Sequence, residues 1–379
     1  MKSFALAALA LGAMVSAPVL AGEAKLPGQV SWTAYGTGSA GYNQSVAIGG
    51  ALKNKLGVDL RVLPGKNDVA RTEPLRQGKV QFSATGVGGS FMAQEGVFAF
   101  GKKRWGPQPV RVLMANNGGA INLAVGVAND VGIKEFKDLK GKRVAWVKGA
   151  PALNVNTTAY LAFAGLTWDD VERVEFGGFT DSWKGMVNGQ VDAAFASTNS
   201  GRAYEMAASP RGLFWPPVPH DDAEGWERLK AVAPFFTPNV AKVGATIDDG
   251  PGYEGAGYAY PVLIAMADQD ADLVYNMTKA MVDLYGEFEG KAPGINGWSI
   301  DKQDTQWVAP YHEGAIRYFK EIGKWSDEAQ AHNDRLIARQ AALADAWKSM
   351  DGVSDADWDA TWSEKRKAAL ESGGFDVVF

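Results

Sequence analysis

Apolar residues recur along this chain in two rhythms. Short runs rich in β-branched and aromatic residues, QVSWTAY (29–35), VDLRVLPG (58–65) and KVQFSAT (79–85), predict strands. Between them, YNQSVAIGGALKNKL (42–56) and NDVARTEPLRQG (67–78) show the wider spacing of helices, the second interrupted near Pro74. The order is βαβαβ, which implies parallel strands joined by right-handed crossovers. The pattern then repeats as KRVAWVKG (142–149), NVNTTAYLAFAG (154–165), VERVEFGG (171–178), DSWKGMVNG (181–189) and QVDAAFAST (190–198). The repeat is partly literal, since RQGKVQFSAT closes the first unit and VNGQVDAAFAST the second.

Two similar units predict two α/β lobes with a cleft between them rather than one long sheet. The segment PVRVLMANNGGAINLAVGVAND (109–130) carries two apolar runs around Asn116–Gly119 and reads as a hinge crossing. YAYPVLIAMA (258–267) reads as the return, and the Pro- and Gly-rich stretches before it as loops. The last third is helical, with one helix over Asp270–Gly286 and another over Ser326–Met350 on the outside of the first lobe. The expected division is 22–117 with 257–379 for lobe 1, and 118–256 for lobe 2.

In open α/β sheets, ligands bind beyond the carboxyl ends of the strands. That rule selects Tyr35–Tyr42, Thr85–Gly89, Lys148–Asn156, Gly177–Ser182 and Ser197–Ser200, all small, polar or glycine-rich. The first, YGTGSAGYNQSV, stands between a strand and a helix. Gly36, Gly38 and Gly41 open its backbone, and Thr37, Ser39 and Tyr42 add hydroxyls. Backbone N–H groups at a helix start attract an anion. A tight turn with Ser39 as helix cap explains the same residues, and the loop alone leaves both readings open. No Arg lies in it, so its donors are neutral. Thr85 and Gly86 mark the next strand end. Phe179, Trp183 and Tyr258, near strand termini, are the aromatic candidates for the cleft; packing on a buried helix face is the alternative for Trp183. Trp32 and Trp146 read as core.

Composition narrows the chemistry. The first 21 residues read as an export signal: Lys2, an apolar core over Phe4–Val15, and small residues before a cut after Ala21. The apolar run is shorter than the roughly 20 residues a membrane span needs. Cysteine is absent from the 379 residues, which removes disulfides, thiol catalysis and Cys-based metal sites. Without Lys2 the chain has 37 basic and 43 acidic residues, a net charge of −6 that disfavours nucleic acid. The 3 His are scattered without metal-ligand spacing, and no nucleophile elbow is present. GVFAFGKK (96–103) is a chance near-match to a phosphate loop, with Lys103 where Ser or Thr should ligate Mg²⁺. DQDAD (268–272) lacks the glycine and closing Glu of a calcium loop and reads as an acidic first helical turn. No cofactor or metal is expected.

With these residues in view, the chain resembles the TAXI class of periplasmic solute-binding proteins of TRAP transporters. GTGSAGYNQSVAIGGAL resembles that family's glycine-rich first loop and helix, DLKGKRVAWVKGAP its second-lobe opening strand, and NGQVDAAFAST its Gly-Gln-hydrophobic-Asp-Ala strand. YAYPVLIAMADQDADLVYNMTKAMVD is similar to its return strand and helix, and PYHEGAIRYFKEIGKW (310–325) to its late signature. The resemblance implies two lobes of type II periplasmic-binding-protein architecture, with mixed sheets flanked by helices. It also implies a monomer that captures a small carboxylate and delivers it to a TRAP permease. Carried over by position, second-lobe contacts come from Asn154, Asn156 and Thr157, and from Ser197, Thr198 and Asn199. The chain departs from the pattern in Ala152-Leu153 and in ATGVGG (84–89), which leaves room for a bulkier or less polar carboxylate than glutamate. The alternatives are the binding protein of an ATP-driven importer and a secreted hydrolase, which would need His220 or His312 beside a nucleophile.

Overall fold

The computed structural model describes residues 22–247 and 252–379. The export signal and its cut after Ala21 lie outside the described residues.

The chain opens with β1 (Gln29–Tyr35), α1 (Ala40–Leu56), β2 (Asp59–Gly65), α2 (Asp68–Arg76) and β3 (Phe82–Thr85). Ser39 caps the start of α1 by accepting from the Tyr42 N–H. Gly57 closes its end in the left-handed region, φ 69°, donating to Leu52 and Lys53 carbonyls. Asn67 caps α2. Pro74 sits inside α2 without ending it, because it comes in the last turn and costs only one helical bond. After a π-helical turn over Gly88–Met92 and the single turn α3 (Ala93–Glu95), β4 (Val110–Ala115) leads through the crossing to β5 (Leu123–Ala128).

The second unit follows as β6 (Arg143–Val147), α4 (Pro151–Phe163), β7 (Glu172–Phe176), α5 (Phe179–Val187) and β8 (Ala193–Ser197). Then come α6 (Gly201–Ala207), β9 (Leu213–Phe214), α7 (Ala223–Val232), the hairpin of β10 (Thr237–Ala241) and β11 (Tyr253–Gly257), and β12 (Val262–Met266). The C-terminal helices are α8 (Ala271–Asp283), α9 (Tyr285–Phe288), α10 (Glu313–Glu321), α11 (Asp327–Lys348) and α12 (Trp358–Ser372). The helix expected over Asp270–Gly286 is thus broken at Leu284 into α8 and α9.

The two five-stranded sheets repeat one plan, β2-β1-β3-β12-β4 and β7-β6-β8-β5-β9. In each, the βαβαβ strands run parallel and the chain-crossing strand runs antiparallel beside the third of them. Both sheets are therefore mixed and flanked by helices, the arrangement of type II periplasmic binding proteins. Trp32 meets Phe82 edge-on at 6.4 Å in the first core, and Tyr160 packs against Phe136 and Phe236 in the second. Trp146 is not core: it is half-buried on an outer face, between the Trp168 ring and the Arg173 guanidinium. A separate small cluster of Leu343, Met350, Trp358, Trp362 and Leu370 joins α11 to α12.

Candidate functional site

The first residues of α2 and the loop before it face the second sheet across the cleft. Asn67 Nδ2 donates to the Lys148 carbonyl at 3.0 Å, and the Val69 N–H to that of Gly149 at 3.3 Å. The Phe179 N–H, at the start of α5, donates to the Lys66 carbonyl at 3.4 Å. Asp68 reaches furthest. One carboxylate oxygen accepts from the Ala152 N–H in the first turn of α4 at 2.9 Å, and the other pairs with Arg71. Four hydrogen bonds thus run between residues 66–69 and the other lobe, and the cleft is closed.

Behind this seam lies a cavity of about 50 Å³. A buried water needs roughly 10–15 Å³, so the closed lobes leave room for a compact solute, not a peptide. Its wall combines Tyr35, Lys66, Asp68, Arg71 and Tyr260 from one side with Leu123, Leu153, Asn156, Phe179 and Phe195 from the other. The Arg71 guanidinium lies 4.0 Å above the Tyr35 ring centre and donates through Nη1 to the Gly65 carbonyl. Its Nε is buried without a partner among the described residues. Asn156 donates to the Tyr258 hydroxyl at 2.7 Å, and its carbonyl oxygen Oδ1 has no partner among the described residues.

Burial shapes the ionisation of the wall. It pushes the Asp68 carboxyl above its ordinary value, against the pull of the Arg71 charge and the Ala152 N–H. Burial also raises Tyr35, Tyr258 and Tyr260, so these phenols are neutral hydrogen-bonding groups.

Of the residues expected at the site, Ser39, Gly86, Asn156, Phe179, Ser197 and Tyr258 line the cavity. The opening loop contributes little else. The Ser39 hydroxyl donates to the Gly36 carbonyl at 2.7 Å and caps α1, so the turn reading describes it. Thr37 is exposed, and Tyr42 lines a separate surface groove with Val46 and Lys291. The glycines have steric work instead. A Cβ on Gly41 would stand 2.4 Å from the Tyr35 ring, while Gly36 and Gly38 lie against Thr180 and Arg202 of the facing lobe.

Several other expected residues are scaffold. Thr85 is buried beneath Gly89, outside the cavity. Asn154 bridges the N–H and carbonyl of Val147, both at 2.9 Å. Thr157 bonds its own helix at Leu153. Thr198 ties Asn122 to Val243, and Asn199 donates to the Pro293 carbonyl. Trp183 corrects the expectation for the cleft. It is 1% exposed, its indole donates to the Phe195 carbonyl at 3.1 Å, and its ring packs on Trp215. It lies on the inner face of α5, while Phe179, one turn earlier, faces the cavity.

Lys66, Asp68 and Arg71 are the charged cavity-lining residues that sequence reasoning missed. The strand-end rule applies equally to the end of β2, which the five selected stretches leave out. The signal was there in NDVAR, an acid and a base three apart at a helix start directly beyond a parallel strand. The three His lie away from the cavity, and the described residues contain no group of three or more His, Asp or Glu fit to hold a metal.

This fold, two mixed sheets with a closed cavity between them, is that of the solute-binding proteins. The chain belongs to the NMT1-like family, which it matches over residues 33–323. Solved structures are similar in fold. An ancestral arginine-binding protein bound to arginine is 17% identical, covering 70% of this chain and 97% of its own, with a TM-score of 0.42. The alkanesulfonate-binding protein SsuA from Xanthomonas axonopodis pv. citri, bound to MOPS, is 14% identical, covering 86% and 94%, with a TM-score of 0.44. A periplasmic binding protein from Brucella ovis with glutathione bound is 11% identical, covering 68% and 69%, with a TM-score of 0.44. Among the described residues no helix is long and apolar enough to cross a membrane.

Proposed function

We propose that the protein is exported, cut after Ala21, and acts as a monomer that captures a small organic acid in the cleft and delivers it to a TRAP-type permease. In this reading lobe 1 comprises 22–117 with 257–379, and lobe 2 comprises 118–256. The observation that carries the ligand class is Arg71, a guanidinium 4% exposed at the cavity wall with an uncommitted Nε. A carboxylate is its natural partner. Ser39, Asn156 and Ser197 supply neutral polar contacts around it, and Phe179, Leu153 and Tyr258 supply apolar area. The permease class is supported by the PYHEGAIRYFKEIGKW signature.

Protein purified without added ligand and then unfolded should release an organic acid detectable by mass spectrometry. Arg71→Gln should weaken binding of that acid about 10- to 150-fold, the loss of a hydrogen bond to a charged group. Arg71→Lys should fall between, since it keeps the charge and loses the fork. Unchanged affinity in R71Q would sink the carboxylate assignment. Uptake should stop when the ion gradient is collapsed and survive ATP depletion; the reverse result would mean an ATP-driven importer.

A further inference from the structure

Three charged residues border the cavity, Asp68 and Arg71 buried and Lys66 exposed, and the negative one is committed to the protein itself. Asp68 is 2% exposed, pairs with Arg71 and accepts from the Ala152 N–H. The first turn of α4 is where the second lobe would otherwise offer an anion its free N–H groups. Its N-cap, Ala150, gives no side-chain cap, and Pro151 has no N–H, so Asp68 takes the place of both cap and ligand. The neighbouring start of α5 is likewise occupied, by the Lys66 carbonyl. The fold has made space for this carboxylate: a Cβ on Gly88 would stand 2.3 Å from an Asp68 oxygen.

We infer that Asp68 sets the charge class of the solute, so that the site accepts a compact monocarboxylate and rejects dicarboxylates. This rests on the carboxylate reading above. The two buried charges, Asp68 and Arg71, cancel, and the exposed Lys66 leaves the charged residues bordering the cavity with a single net positive charge. One ligand carboxylate, held at Arg71, neutralises it. A second would enter a closed cavity with Leu123, Leu153, Phe179 and Phe195 in its wall, beside Asp68, where Ser39, Asn156 and Ser197 are neutral and no cation is left to balance it. A buried charge without a partner is strongly disfavoured. Asp68 thus acts as an internal stand-in for the second carboxylate.

The test is calorimetry with chain-matched probes, butyrate and pentanoate against succinate and glutarate, on wild type and Asp68→Asn. The Asn side-chain oxygen can still accept from Ala152, so the seam is retained while one negative charge is removed. Wild type should bind the monocarboxylates at least tenfold more tightly than their dicarboxylate counterparts, and D68N should reduce that ratio at least tenfold. Asp68→Ser repeats the measurement if D68N is not recovered folded. Equal or tighter binding of dicarboxylates by wild type overturns the inference, as does an unchanged ratio in both variants. Binding of neither series, together with a non-acidic solute released on unfolding, overturns the carboxylate reading and this inference with it.

Discussion

At Asp192 four hydrogen bonds converge on one carboxylate, three from Arg143 and one from Arg211. Arg211 also pairs with Asp130, so the group ties the starts of β6 and β8 to the loop after β5. Burial would raise the Asp192 pKa, but the Arg143 and Arg211 bonds overcome it and hold the carboxyl below its ordinary value. A depressed acid contributes stability above its unfolded pKa and loses it as pH falls through the folded one. Asp192→Asn should therefore cost about 1–3 kcal/mol at pH 7. Urea unfolding should show that gap narrowing as pH falls below about 4; a gap that does not change with pH would mean the charge is not the source. In NGQVDAAFAST the role of Asp192 is thus structural, and the stretch reaches the cavity at Phe195, Ala196 and Ser197. Trp183 teaches the same lesson, since its position near a strand end says nothing about which face of α5 it takes.

The last two helices, α11 and α12, meet at one short element. Glu95 of α3 is fully buried and bound by two guanidinium groups, those of Arg339 on α11 and Arg366 on α12. Those arginines in turn hold the carbonyls of Asp376, Val378 and Phe379. Burial lowers the Arg366 pKa, opposed by Glu95. Removing the acid would leave two buried cations facing each other, and breaking such a group costs about 3–5 kcal/mol. Glu95→Gln should lower stability by that amount, and hydrogen exchange should show 327–372 opening before the sheets. A loss under about 1 kcal/mol, typical of surface pairs, would mean the triad is not the fastening. The late signature is also architectural. The Val112 N–H donates to the Pro310 carbonyl, the His312 N–H donates to that of Val112, and His312 caps α10.

At the scale of the molecule, the protein's own groups along residues 66–69 bond one lobe to the other, and the chain passes between the two sheets after β4 and before β12. Bonds of this kind contribute about 0.5–1.5 kcal/mol each, small enough for a solute's added contacts to shift the balance between open and closed. Small-angle scattering should show the solute-free protein with a larger radius of gyration than the saturated one. An unchanged radius at saturation would mean the lobes do not move.

Much of this was written locally. Strand and helix periodicities, the Ser39 and Asn67 caps and the repeated βαβαβ order depend on neighbours a few residues apart, so the sequence alone determined the two-lobed plan and the strand-end rule for the cleft. It also located Ser39, Gly86, Asn156, Phe179, Ser197 and Tyr258 at positions that line the cavity. Tertiary structure decided the rest, because the decisive contacts join distant segments. Asp68 meets Ala152 across 84 residues and Glu95 meets Arg339 across 244. Whether an arginine in NDVARTEP is a solvated helix face or a buried cation depends on what the other lobe places against it. No periodicity within α2 carries that information, since the energy of a buried charge is set by its whole surroundings and not by its own stretch of chain.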